Sequence, residues 1–124
     1  MSPPRVLVVE DDPNVRGLLD TLLTAEGYAV STAGDGIAAL ATAASDPPAL
    51  LVLDVVMPDL GGLQVLEELE HDPVLSAVPV VVVTGLQEAL PDLRARLGSD
   101  SVFLKPFGVL ELLARVAELT GGPR

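Results

Sequence analysis

Four places along the chain carry side chains that could do chemistry: Glu10, Asp11 and Asp12 in succession, Asp54, Thr84 beside Gly85, and Lys105. Each follows an aliphatic run. Arg5 to Val9 leads into the three acids, and Leu50 to Leu53 leads into Asp54 within the stretch LLVLDVVMPD. A charge at the end of a buried strand is costly unless something pairs with it. Glu10, Asp11 and Asp54, gathered together, would repel one another and either raise a pKa or require compensating positive charge. A small hard cation, magnesium or manganese, would supply that charge. Magnesium takes a few carboxylates, a carbonyl and waters, and leaves positions for phosphate oxygens. A carboxylate so placed can attack phosphorus and become an aspartyl phosphate. Thr84 and Lys105 could then donate to the phosphoryl oxygens as charge develops. Lys105 is the sole lysine, and it sits between Leu104 and Pro106 rather than on a polar helix face.

The elements that must position these groups follow from periodicity. Strands are expected at Arg5 to Val9, Tyr28 to Thr32, Leu50 to Leu53, Val78 to Val83 and Ser101 to Leu104. Helices are expected at Pro13 to Ala25, Gly36 to Ala44, Leu63 to Glu70, Pro91 to Leu97 and Gly108 to Leu119. Asp12 before Pro13 reads as a helix N-cap with proline at the first helical position, so Asp12 is kept out of the metal set. Gly27 and Gly98 read as helix-ending glycines. Pro91 limits the fourth helix, leaving Leu86 to Leu90 as a loop or separate turn. Five near-continuous aliphatic strands alternating with five helices predict a parallel sheet covered on both faces. Such a sheet delivers Glu10, Asp11, Asp54, Thr84 and Lys105 to one edge, where ligands bind.

Length and composition narrow the function. The chain has 124 residues, enough for one domain, expected at 4–120 with a tail at 121–124. A net charge of −11, with seven basic against eighteen acidic residues, argues against direct nucleic-acid binding. No apolar run is long enough to span a membrane and no signal-peptide core follows Met1, so a cytoplasmic location is expected. The absence of cysteine excludes disulfides and thiolate ligands, and one histidine, His71, cannot build a His-rich metal site. His71 reads as a surface turn residue, and Glu67, Glu68, Glu70 and Asp72 as a solvated face.

The set VVEDD (Val8 to Asp12), LDVVMPDLGG (Leu53 to Gly62), VVVTG (Val81 to Gly85) and LKPF (Leu104 to Phe107) resembles the receiver domain of two-component response regulators, from end to end of the chain. The resemblance implies the flavodoxin-like α/β fold, doubly wound with strand order 2-1-3-4-5, an order that general accounts of this fold illustrate with a receiver. It implies that Asp54 is the phosphoacceptor and that Glu10, Asp11, Asp54 and the Val56 carbonyl hold the metal. Thr84 and Lys105 would contact phosphate, and the Lys105–Pro106 peptide would be cis. The partner would be a sensor histidine kinase or a histidine phosphotransfer protein, with an output target the sequence does not name and a weak homodimer as a further option. Such a chain is a signalling module rather than an enzyme. The family's aromatic switch position, three residues before the lysine, falls here on Val102, while Phe103 should face the other side of its strand and pack against a helix.

Other classes fit less well. A haloacid-dehalogenase-type phosphohydrolase needs a second Asp two residues after the nucleophile, where this chain has Val56. A flavodoxin-like electron carrier needs a phosphate-cradling loop after the first strand, where three acids stand. A receiver acting as a phosphorylation-independent interaction module remains the runner-up.

Overall fold

The computed structural model describes residues 2–57 and 61–123. Met1, Arg124 of the expected tail, and Pro58, Asp59 and Leu60 of the second motif lie outside them. Five strands, β1 (Arg5–Val9), β2 (Ala29–Ala33), β3 (Leu50–Leu53), β4 (Val80–Thr84) and β5 (Val102–Leu104), alternate with five helices. The helices are α1 (Pro13–Glu26), α2 (Gly36–Ser45), α3 (Gly62–His71), α4 (Leu90–Leu97) and α5 (Val109–Thr120). All pairings are parallel, in the order β2-β1-β3-β4-β5. This is the expected flavodoxin-like topology.

Side-chain alternation along the strands builds two cores. Leu7, Val9, Leu51, Leu53 and Val82 pack with Ala39, Val65, Leu66 and Leu93 on the face covered by α2, α3 and α4. Val6, Val8, Leu50, Val52, Val81 and Val83 pack with Leu19, Leu23, Leu112 and Val116 on the face covered by α1 and α5. Both faces of the central strands are therefore dry, which is why their sequences read as unbroken aliphatic runs.

The helix boundaries follow their caps. Asp12 has extended backbone and accepts from the Asn14 N–H, with Pro13 opening α1. Gly27 and Gly98 end their helices at φ values of 107° and 88°, a region open to glycine and strained for other residues. α4 starts at Leu90, with Pro91 in its first turn, and Gln87–Ala89 forms a separate 3₁₀ turn. Three strands start later than the pattern suggests. Ser101 ends a 3₁₀ turn that the Val102 N–H closes on the Ser99 carbonyl, so β5 begins at Val102. The Tyr28 N–H closes the end of α1 by donating to the Leu23 carbonyl, so β2 begins at Ala29. The Val78 N–H closes a 3₁₀ turn on Leu75 and Pro79 has no N–H to give, so β4 begins at Val80. His71 ends α3 instead of lying in a turn, its Nδ1 2.7 Å from the Glu67 carbonyl oxygen. Among the described residues, no helix is long and apolar enough to cross a membrane.

Leu51 lies in the middle of the sheet and is 1% exposed. Leu51→Ala should destabilise the fold by about 2–5 kcal/mol. Urea unfolding should show a lower midpoint with an unchanged slope; an unchanged midpoint would contradict this packing.

Candidate functional site

Strand register assembles the site. Val9 pairs with Leu53, and Thr84 with Leu104, so Glu10, Asp54 and Lys105 are each the first residue beyond a strand end. Backbone bonds continue the ladder one step further: Glu10 N to Ala33 O at 3.0 Å, Asp54 N to Val9 O at 3.0 Å, and Lys105 N to Thr84 O at 2.7 Å. Alternation sets the directions. Glu10, Asp54 and Lys105 are in phase with Val8, Val52 and Phe103, which belong to the α1/α5 side. Thr84 is in phase with Val82, on the other side.

The three in-phase side chains meet. Lys105 Nζ donates to Glu10 Oε1 at 2.6 Å and to Asp54 Oδ2 at 3.2 Å. The second Glu10 oxygen accepts from the Asp12 N–H at 3.1 Å, and the second Asp54 oxygen from the Val56 N–H at 3.1 Å. Asp11, exposed, completes a triad in which Glu10, Asp11 and Asp54 each offer a carboxylate oxygen within 4.8 Å of the others. These are hard oxygen donors converging on one point, and they suit magnesium or manganese. They line an open pocket of about 460 Å³ that also takes in Asp12, Val56, Gly85, Leu86 and Lys105.

Sequence reasoning placed Thr84 on the phosphate path. The structure finds it fully buried, its Oγ1 accepting from the Leu86 N–H at 3.0 Å. Leu86 and Gly85, not Thr84, line the pocket wall here. Leu86 was not singled out from the sequence, since a leucine after a Thr-Gly pair carries no polar signal. Gly62 is a second omission: a Cβ there would collide with the Val55 backbone and the Asp54 carbonyl, so only glycine lets α3 start against the strand end that carries Asp54. Val102 is 6% exposed in the α2–α4 core with Leu90 and Leu93, and Phe103, half-buried, packs on the opposite face as alternation requires. The Lys105–Pro106 peptide is cis. The acidic face of α3 is not wholly solvated, because Glu70 Oε1 pairs with Arg96 at 2.5 Å.

Burial pushes the Glu10 carboxyl up to about 7, from an ordinary 4.5. The charge of Asp54 adds to the rise, and the hydrogen bonds from Lys105 and Asp12 oppose it without cancelling it. An ion-paired carboxylate is ordinarily depressed. Here desolvation wins, because Glu10 is only 1% exposed. For Lys105 the balance runs the other way: partial burial works against its charge, yet the hydrogen bond to Glu10 and the charges of Asp54 and Glu10 raise it above 10.5.

This geometry, four motifs at four strand ends with the acids held by one lysine, matches a known family. A family model for the response regulator receiver domain matches residues 6–117. The chain belongs to this receiver family. The receiver domain is 46% identical over 118 residues to response regulator PleD of Caulobacter vibrioides, covering 94% of this chain and 26% of PleD. It is 38% identical over 120 residues to TcrX of Mycobacterium tuberculosis, covering 95% of this chain and 50% of TcrX. It thus spans about a quarter of the one relative's length and half of the other's. Among solved structures, a Francisella response regulator receiver domain superposes with a TM-score of 0.85 at 30% identity, covering 95% of this chain and 97% of that one. The receiver domain of a Pseudomonas aeruginosa sensor histidine kinase, with magnesium coordinated in its active-site cleft, gives 0.84 at 26% identity, covering 98% and 100%. The receiver identity places this chain in two-component signalling.

The Glu10 shift has a sign that can be tested. A carboxyl whose folded pKa lies above its unfolded value stabilises the fold fully below the unfolded value, and that contribution fades as pH rises through the folded one. In metal-free protein, stability should therefore fall between about pH 4.5 and pH 7 on account of Glu10. Thermal melts across this range should show the decline in wild type and a flatter profile in Glu10→Gln; identical profiles would contradict the raised pKa.

Proposed function

We propose that the domain accepts a phosphoryl group from a phosphohistidine onto Asp54, in a magnesium-dependent reaction, and so alters the surface it offers to an output target. The donor would be a sensor histidine kinase or a histidine phosphotransfer protein. The observation that carries this reading is the single lysine amine held between Glu10 Oε1 and Asp54 Oδ2, with Asp11 alongside. Glu10, Asp11, Asp54 and the carbonyl of Val56 would hold the metal. When bound, the divalent cation supplies positive charge to the carboxylates and to the phosphoryl oxygens.

The residues of the chain do the rest. An Asp54 carboxylate oxygen attacks phosphorus, the phosphorus–nitrogen bond of the donor histidine breaks, and the imidazole leaves with a proton from solvent. Lys105, half-buried and protonated at neutral pH, its charge further favoured by Glu10 and Asp54, turns from the carboxylate to a phosphoryl oxygen. Thr84 donates its hydroxyl proton to another. The chain promotes only its own modification, so it acts as a phosphoacceptor module and not as an enzyme with turnover on a separate substrate.

The route outward runs through backbone. Thr84 Oγ1 can accept from Leu86 N–H and donate to phosphate at once, so a move of the threonine draws Leu86 with it. Val102, at the family's aromatic position, is β-branched, stiff at χ1 and packed against Leu90 and Leu93. The signal therefore passes through residues 84–90 rather than through an aromatic rotamer.

Acetyl phosphate with magnesium should add one phosphoryl mass to the intact protein, and Asp54→Asn or a chelator should abolish the addition. Uptake at one site by the Asn variant would show that another residue is the acceptor, and no uptake by wild type would favour a phosphorylation-independent interaction module. In the same modified sample, backbone amides of 84–90 should shift by NMR. Shifts confined to the side chains of Val102 and Phe103 would refute the loop route.

A further inference from the structure

We propose that Arg16 is a positioning residue for the metal and phosphoacceptor site, holding the Glu10–Asp11 backbone so that both carboxylates converge on Asp54. Arg16 stands one turn into α1, where its N–H makes the first helical bond to the Asp12 carbonyl at 2.9 Å. Helical side chains lean toward the N-terminus, so from this position the guanidinium lies over the β1–α1 loop. Its Nη1 donates to the Glu10 carbonyl at 2.9 Å and reaches the Asp11 carbonyl at 3.4 Å. One nitrogen thus spans the two successive peptide groups whose side chains supply two of the three acids of the site.

The placement runs against local preference. A cation near a helix N-terminus opposes the helix dipole, and in a chain with three consecutive acids nearby a surface arginine would be expected to pair with a carboxylate. Arg16 instead bonds carbonyls, and a local conflict of this kind marks a residue kept for its geometry. The β2–α2 loop crowds the same nitrogen. A Cβ on Gly34, in the loop between β2 and α2, would stand 3.0 Å from Nη1, so any larger residue there would press the guanidinium aside by a few tenths of an ångström. Glu10 is then clamped from both sides of its peptide, its N–H on Ala33 O and its carbonyl on Arg16. Asp11 is exposed, and the reach of Arg16 to its carbonyl is what relates it to that clamp.

Arg16 and Lys105 therefore divide two tasks. Lys105 touches the carboxylates and stands where a metal would compete with it. Arg16 stays behind them on the backbone and remains in place when the metal binds. Partners that orient metal ligands in this way commonly change affinity by 10–100-fold when removed.

The inference rests on the magnesium reading above, and calorimetric titration with magnesium chloride alone separates the two. Arg16→Met, which keeps the apolar stem and removes the donors, should weaken magnesium binding at least about tenfold. Arg16→Lys should recover part of the loss, and Gly34→Ala, which pushes the guanidinium aside without changing it, should weaken binding in the same direction by less. Gly34→Ala and Arg16→Lys decide the matter if Arg16→Met does not fold. Wild-type dissociation constants in these variants, with only their metal-free melting temperatures lowered, would make Arg16 merely structural and overturn the inference. No magnesium binding by wild type would remove the metal reading itself, and this inference with it.

Discussion

Lys105 Nζ between Glu10 and Asp54 is the contact on which the rest of the structure depends. Two carboxylates that are 2% and 6% exposed at the side chain cannot stand together in a dry sheet edge without a cation, and the chain has one lysine to give. The amine satisfies both. Burial, with the charge of Asp54 added, still leaves Glu10 with a raised pKa that the hydrogen bond from Lys105 opposes without cancelling. On the proposed function, a divalent metal would compete with this amine for the carboxylates, and the amine would turn to the incoming phosphoryl group.

Everything that brings those three atoms together is a property of the sheet. The Val9–Leu53 register sets Glu10 beside Asp54, and the β4–β5 pairing brings Lys105 onto the same edge through Thr84. Alternation then turns all three side chains to the α1/α5 side, and turns Thr84 to the other. A one-residue slip in any of these strands would point its functional side chain into the opposite core. The two dry cores, which make such a slip costly, are in this sense part of the site. The loops add the finer adjustments: Gly62 lets α3 close against Val55, and Asp12 caps α1 while its N–H holds the far oxygen of Glu10.

Much of this was legible because strand ends are legible. Continuous aliphatic runs such as Leu50 to Leu53 admit few alternatives, and an acid or a lone lysine ending one is conspicuous. Boundaries were misplaced where a residue suited to a strand is used otherwise: Tyr28 closes α1 through its N–H, and Val78 closes a turn. Strand order came from resemblance, since periodicity says what an element is and not what it lies beside. The role of Arg16 was invisible for the same reason. A cation near a helix start reads as solvated until its carbonyl partners are seen, and the Glu70–Arg96 pair joins residues 26 apart in sequence. The absent aromatic at Val102 could be read directly, but what replaces it required the Thr84–Leu86 bond.

Because the chain has a single lysine, the amine at the centre of this account can be watched alone. Following the Cε resonance of Lys105 by NMR in metal-free protein, as pH rises into the alkaline range, gives its titration midpoint without assignment. The account predicts a midpoint above the ordinary value of 10.5, lowered in Asp54→Asn when one of the two carboxylate charges is removed. A midpoint at or below 10.5 that does not move in Asp54→Asn would contradict it, since the lysine would then not be bridging the two acids.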